Sequence, residues 1–149
     1  MSGDPMQELR DIEAIKQLKA RYVRCADTQD WEGFAQVLTE DYLFDSEGGV
    51  VQGRDHVVAM VSESLQGAST VHHVFAPEIA ITGADTAEAV WPMEDYVRMS
   101  HNGQVFAFHG CGHYWETYVR TDDGWRLRTC KLTRLRVDPI DGASLPHAG

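Results

Sequence analysis

The hydrophobic period of this chain changes once, at Gly67, and that change limits the folds open to it. Before Gly67, Leu9, Ile12, Ile15, Leu18 or Lys19, Tyr22 and Ala26 recur at three- and four-residue spacing, as one face of a helix requires. After it the period drops to two and no further helical pattern follows, as expected of strands whose side chains alternate between faces. Asp4-Pro5 supplies a cap and first position for a helix ending near Asp27, because proline is pre-set for the first helical turn. Asp30 starts a short second helix with Trp31, Phe34, Val37 and Leu38 on one side, and "RDHVVAMVSESL" reads as a third that Gly67 stops,. Between them "DYLFD" turns toward strand and "SEGGVVQG" is loop or hairpin. Four longer strands follow: "TVHHVFAPEIAITG", "DTAEAVWPMEDYVRM", "QVFAFHGCGHYWETYVR" and "WRLRTCKLTRLRV", parted by Gly83-Ala84-Asp85, "HNG" and "TDDG",. Helices first and hairpin-linked strands afterwards predict an α+β fold, with the helices on one face of a mostly antiparallel sheet.

With 149 residues and no internal repeat, one domain is expected, its core over about residues 8–138 and a loose tail over 139–149. A net charge of −10 repels phosphate backbones and anionic membranes, which argues against nucleic-acid or membrane partners. The opening "MSGDPMQELRDIEAIKQ" is polar and acidic where a signal peptide is basic and then apolar, and no apolar run is long enough to span a bilayer,. Cys25, Cys111 and Cys130 are three cysteines without CxxC spacing, as for reduced thiols in a cytoplasmic chain.

The adjacent histidines of "STVHHVFAPEI" must point to opposite faces of their strand,. One parity carries Val71, His73 and Phe75, the other Thr70, His72 and Val74; both are mixed, and periodicity does not choose between them. A histidine titrating near neutral pH suits a general base. Asp27, where the first helix meets the second, is either helix punctuation or the carboxylate that orients such a histidine. On the next strand Ala87, Ala89, Trp91, Met93 and Asp95 share a parity that reads as inward; a carboxylate on an apolar face is costly unless paired, which makes Asp95 a site candidate. Glu94 falls on the solvent side. His109, Cys111 and His113 share one side of a strand, but same-face residues lie about 6.6–7 Å apart along it, so the three do not converge on one ion without a bulge. No metal site is expected. No Walker, Rossmann or nucleophile-elbow pattern occurs, and no cofactor is expected.

The stretches "RYVRCADTQDWEGFAQVLTEDYLFD", "GRDHVV", "TVHHVFAPEIAITGADTAEAVWPMEDY" and "GHYWETYVRTDDGWRLRTCKLTRLRV" together resemble the SnoaL-like branch of the nuclear transport factor 2-like superfamily, with scytalone dehydratase. The resemblance implies a conical α+β barrel: a strongly curved sheet around an apolar pocket, with about three helices packed on it. It also implies a catalytic pair of Asp27 with His72, a polar residue at Tyr22 and a second carboxylate at Asp95. Because residues five apart on an ideal helix lie about 140° from each other, Tyr22 and Asp27 are expected to share a pocket only if the helix ends between them. His73, Trp91, Met93 and Phe34 are expected to contact substrate. The second catalytic histidine of scytalone dehydratase is not reproduced, since "EDYV" offers Asp95 and Tyr96 instead. The implied function is a cofactor-independent lyase or isomerase, of the dehydratase or polyketide cyclase type, acting on an apolar cyclic, steroid- or polyketide-like molecule. The alternatives are a limonene-type epoxide hydrolase, which needs an Asp-Arg-Asp constellation with the arginine beside Asp95, and a non-catalytic small-ligand carrier or oligomeric subunit. A homodimer is expected, covering an apolar outer face that includes Val119, Leu127 and Leu135.

Overall fold

The computed structural model describes residues 3–141 and 143. The tail expected over 139–149 falls mostly outside the described residues. Three helices come first: α1 (Pro5–Thr28), α2 (Trp31–Gln36) and α3 (Arg54–Ser64). The strands are β1 (Leu38–Ser46), β2 (Gly49–Gln52), β3 (Ser69–Val74), β4 (Glu78–Ile81), β5 (Thr86–His101), β6 (Gln104–Thr121) and β7 (Gly124–Pro139). They make one seven-stranded sheet in the order β2-β1-β7-β6-β5-β3, with β4 on β5 beyond the end of β3. Only β1 and β7 run parallel. The sheet curves into a cone but does not close, since β2 and β3 end it. Among the described residues no helix is long and apolar enough to cross a membrane.

The helix boundaries follow local chemistry. Asp4 accepts from the Met6 N–H at 3.0 Å and Pro5 occupies the first turn; Gln29, left-handed at φ 55°, returns its N–H to the carbonyls of Cys25 and Ala26,. α1 therefore runs through Asp27 without a break. Its buried stripe is Asp11, Ile15, Leu18, Lys19, Tyr22, Cys25 and Ala26, whereas Leu9, expected inside, is exposed. Asp11 takes its place because it binds Arg120 at 2.9 and 2.7 Å and the Trp125 Nε1–H at 3.1 Å. Asp30 caps α2 through the Gly33 N–H at 2.9 Å.

The stretch expected as one strand from Thr70 to Gly83 divides at Phe75–Pro77 into β3 and β4, both paired with β5. Proline lacks the N–H that would continue the ladder. β7 carries two irregularities against β6: Thr117 faces Thr129 while Tyr118 faces Leu127, and Cys111 faces Arg136 while Gly112 faces Arg134. Arg128 and Leu135 are thus extra residues, and each reverses the in-out parity of its strand. This corrects the expected outer face: Leu127 is fully buried in the core, while Leu135 is 73% exposed. Between the two bulges the even-numbered residues Cys130, Leu132 and Arg134 turn inward, on the side of α1.

Candidate active site

The inner end of the cone holds a cavity of about 210 Å³ lined by apolar side chains, among them Phe34, Phe44, Val57, Tyr114 and Leu132. Its polar groups are those of Tyr22, His72, Asp95 and Arg134 and the hydroxyl of Tyr114. Five elements deliver them: α1, β3, β5, β6 and β7.

His72 and Asp27 meet here. The Asp27 carboxylate, one residue from the end of α1, accepts from His72 Nδ1 at 2.6 Å, from the His72 backbone N–H at 2.8 Å and from Thr70 Oγ1 at 2.9 Å. A carboxylate accepts only, so Nδ1 carries a proton, and in the neutral ring the lone pair is therefore on Nε2. Burial pushes the Asp27 pKa up, but the hydrogen bonds from the His72 side chain and backbone outweigh it, and the net displacement is below the usual carboxylate value,. His72 lies directly across the ladder from Asp95. Because its N–H is spent on Asp27, the two form a non-hydrogen-bonded pair, the arrangement that brings side chains closest. His72 Nε2 is 3.8 Å from Asp95 Oδ2.

Asp95 is buried and bound by Arg134 through two parallel bonds of 2.6 and 2.8 Å, the fork geometry that suits a guanidinium to a carboxylate. Gly110, opposite Asp95 on β6, leaves room for this pair: a Cβ there would stand 2.3 Å from Arg134 Nη1 and 2.5 Å from Asp95 Oδ1. Tyr22 lines the cavity beside Tyr114, and burial first of all pushes both phenols well above their usual range; each remains a proton-bearing donor. Below them lies a buried pair, Lys19 Nζ at 2.5 Å from Glu116 Oε1. The ammonium sits 4.0 and 3.7 Å from the ring centres of Tyr22 and Tyr114.

α1 does not end between Tyr22 and Asp27, and only Tyr22 lines the cavity. Asp27 does not line the cavity; it reaches the far nitrogen of the imidazole whose other edge faces Tyr22's side. Of the four residues expected to contact substrate, only Phe34 lines the cavity. Trp91 and Met93 have the expected inward parity, but the inner face of β5 is longer than the cavity. Trp91 is packed into the core, donating to Tyr118 Oη at 3.0 Å, and Met93 Sδ lies behind Arg134 at 3.7 Å. His73 points to the opposite face of the sheet, 55% exposed, with Nδ1 3.1 Å from Glu94 Oε1. Arg134 was not singled out by sequence. Strict alternation in "WRLRTCKLTRLRV" gives four arginines and no means of selecting one; the bulges at Arg128 and Leu135 make the selection.

Residues 7–131 match the SnoaL-like domain family. The chain belongs to that family. Probable cyclase FGR4 of Gibberella zeae is 25% identical over 134 residues, covering 81% of this chain and 89% of the cyclase. Among solved structures, a type 2 hexachlorocyclohexane dehydrochlorinase (LinA) superposes with a TM-score of 0.83 at 16% identity, over 98% of this chain and 99% of that one. A candidate scytalone dehydratase from Novosphingobium aromaticivorans superposes with a TM-score of 0.79 at 19% identity, over 95% and 96% of the two chains. At these identities the structural likenesses establish the cone fold alone.

Proposed function

We propose that this SnoaL-like protein is a cofactor-independent lyase or isomerase in which His72 and Asp27 form the base. The observation that carries the proposal is one imidazole held at Nδ1 by a half-buried carboxylate, with its ring lining a small apolar cavity. His72 Nε2 takes a proton from the carbon next to a substrate carbonyl. The electron pair moves onto the carbonyl oxygen, which the neutral phenols of Tyr22 or Tyr114 and a free N–H of Arg134 stabilise. In a dehydration the pair then returns to expel a β-hydroxyl, which leaves as water with the proton carried by the imidazolium; in an isomerisation that proton goes to another carbon. Asp27 and Asp95, on either side of the ring, stabilise its charged form between the two steps.

Asp95 is not itself a donor to the substrate oxygen. Both its oxygens accept from Arg134, so the pair acts as one unit, with the carboxylate facing the imidazolium and the guanidinium facing the substrate oxygen. Size narrows the substrate class. A cavity of about 150 Å³ holds benzene and drug-sized sites run to about 300–1,000 Å³, so a cavity of about 210 Å³ favours a substituted one- or two-ring ketone over a four-ring steroid.

The test is turnover of small cyclic β-hydroxyketones. His72→Gln and Asp27→Asn should each lower kcat by about a hundredfold or more, as loss of a general base does. A loss under threefold in both, with the fold intact, would remove the dyad from the mechanism. The pair Asp95–Arg134 also favours a second reading, an epoxide hydrolase, since an arginine does stand beside Asp95; among the described residues, however, Arg134 has no second aspartate. Incorporation of ¹⁸O from labelled water into a diol product would favour the hydrolase, and its absence with an unsaturated product would favour the lyase.

A further inference from the structure

The other face of β5 carries a second cluster of reactive side chains. Glu94 precedes Asp95 and therefore points away from the cavity. Directly across the ladder on either side stand His73 of β3 and Cys111 of β6, and His109 is two residues along β6 from Cys111. Glu94 Oε2 lies 2.9 Å from His109 Nε2, and His109 Nε2 lies 3.7 Å from Cys111 Sγ. One ligand atom from each of the three falls within 4.8 Å of the others.

We propose that Glu94, His109 and Cys111 form a binding site for a divalent cation of the zinc class. Tetrahedral coordination at the usual zinc bond lengths of about 2.0–2.3 Å separates neighbouring N, O and S ligand atoms by about 3.3–3.7 Å. The separations of 2.9 and 3.7 Å, with the third inside 4.8 Å, lie within side-chain adjustment of that spacing. Thiolate, carboxylate and neutral imidazole together neutralise a dication, and a sulfur–nitrogen pair disfavours magnesium and calcium. The ring of His109 is held in place, stacked on Tyr96 at 4.3 Å between centres and 10° between planes. His73 occupies the second oxygen of Glu94, the orienting contact that a carboxylate ligand ordinarily has. All three ligands are half-buried, so solvent can supply the fourth position. Sequence reasoning excluded convergence along β6, among His109, Cys111 and His113. The structure instead achieves it sideways, by replacing His113 with a carboxylate from the neighbouring strand.

The experiment is titration of the tag-free, chelator-treated full chain with Co²⁺ and with Zn²⁺. One equivalent of Co²⁺ should produce tetrahedral visible bands and a thiolate charge-transfer absorption, and Zn²⁺ should displace it while raising Tm. Cys111→Ser should abolish the charge transfer, and Cys111→Ser and His109→Gln should each weaken Zn²⁺ binding by at least about tenfold. His113→Gln, one step along the same face, should change neither. Absence of a charge-transfer band in the wild type overturns the proposal whether or not the variants fold. Zinc affinity retained in both Cys111→Ser and His109→Gln, with native far-ultraviolet dichroism, overturns it as well. None of these readouts depends on the activity proposed for the opposite face.

Discussion

Replacing Lys19 by methionine tests the energetics beneath the cavity. Lys19 and Glu116 are ion-paired with no solvent exposure of either side chain. Glu116 also accepts from the Tyr118 hydroxyl, which in turn accepts from Trp91 Nε1. Methionine matches the lysine stem in length and packs against Tyr22 and Tyr114 as well, so the change removes the charge and little volume. What remains is a buried carboxylate with neutral partners alone, the Tyr118 hydroxyl and the Cys130 thiol. Removing one partner of a buried pair costs about 3–5 kcal/mol, and the contacts of the ammonium with two aromatic rings are lost too. For a domain of this size each kcal/mol lowers Tm by about 2–4 °C, so Lys19→Met should lower Tm by about 6–20 °C by those figures. Urea unfolding followed by tryptophan fluorescence measures the loss directly. In Lys19→Met/Glu116→Gln no charge stays buried and an amide oxygen remains for Tyr118, so the double variant should be more stable than the single one. A single-variant cost under about 1 kcal/mol, or a double variant no better than Lys19→Met, would refute the account of the pair as an interdependent unit.

Gly110→Ala puts a methyl group against both Asp95 and Arg134; it should cost about 1–3 kcal/mol by overpacking and, by moving the pair, reduce turnover about a hundredfold. Unchanged kcat would detach Arg134 from the chemistry. Asp11 is held below its ordinary value chiefly by the hydrogen bond from Arg120. A carboxylate depressed in the folded state stabilises it above the unfolded value, near 3.8, and this contribution is lost as pH falls through the lower folded-state value. Wild-type stability should therefore fall below about pH 4, and Asp11→Asn should fall less over that window; equal slopes in urea titrations from pH 5 to pH 2 would contradict this.

The helices and most strands were legible because caps and periodicity are local: Asp4-Pro5, Asp30 and the change of period at Gly67 each mark a boundary within a few residues. Asp95 was legible from parity, since Ala87 through Asp95 keep step on β5. His72 and His73 were not separable that way, because both parities of β3 mix apolar and polar residues; only the docking of α1 on β3 distinguishes them. Arg134 was hidden by two bulges that no alternation rule locates. The partnership of Glu94 with His109 and Cys111 was hidden because it depends on which residues of β5 and β6 face each other, a property of register rather than of either segment alone.

The Asp27 contact has a further consequence. β3 lies at an open end of the sheet, where a free row of amides invites pairing with another molecule. By taking the amide of His72 as well as its ring, Asp27 closes part of that margin to foreign strands. The carboxylate that holds the His72 ring thus also covers an amide at the sheet margin, so a substitution at Asp27 would release the ring and uncover part of a strand edge together.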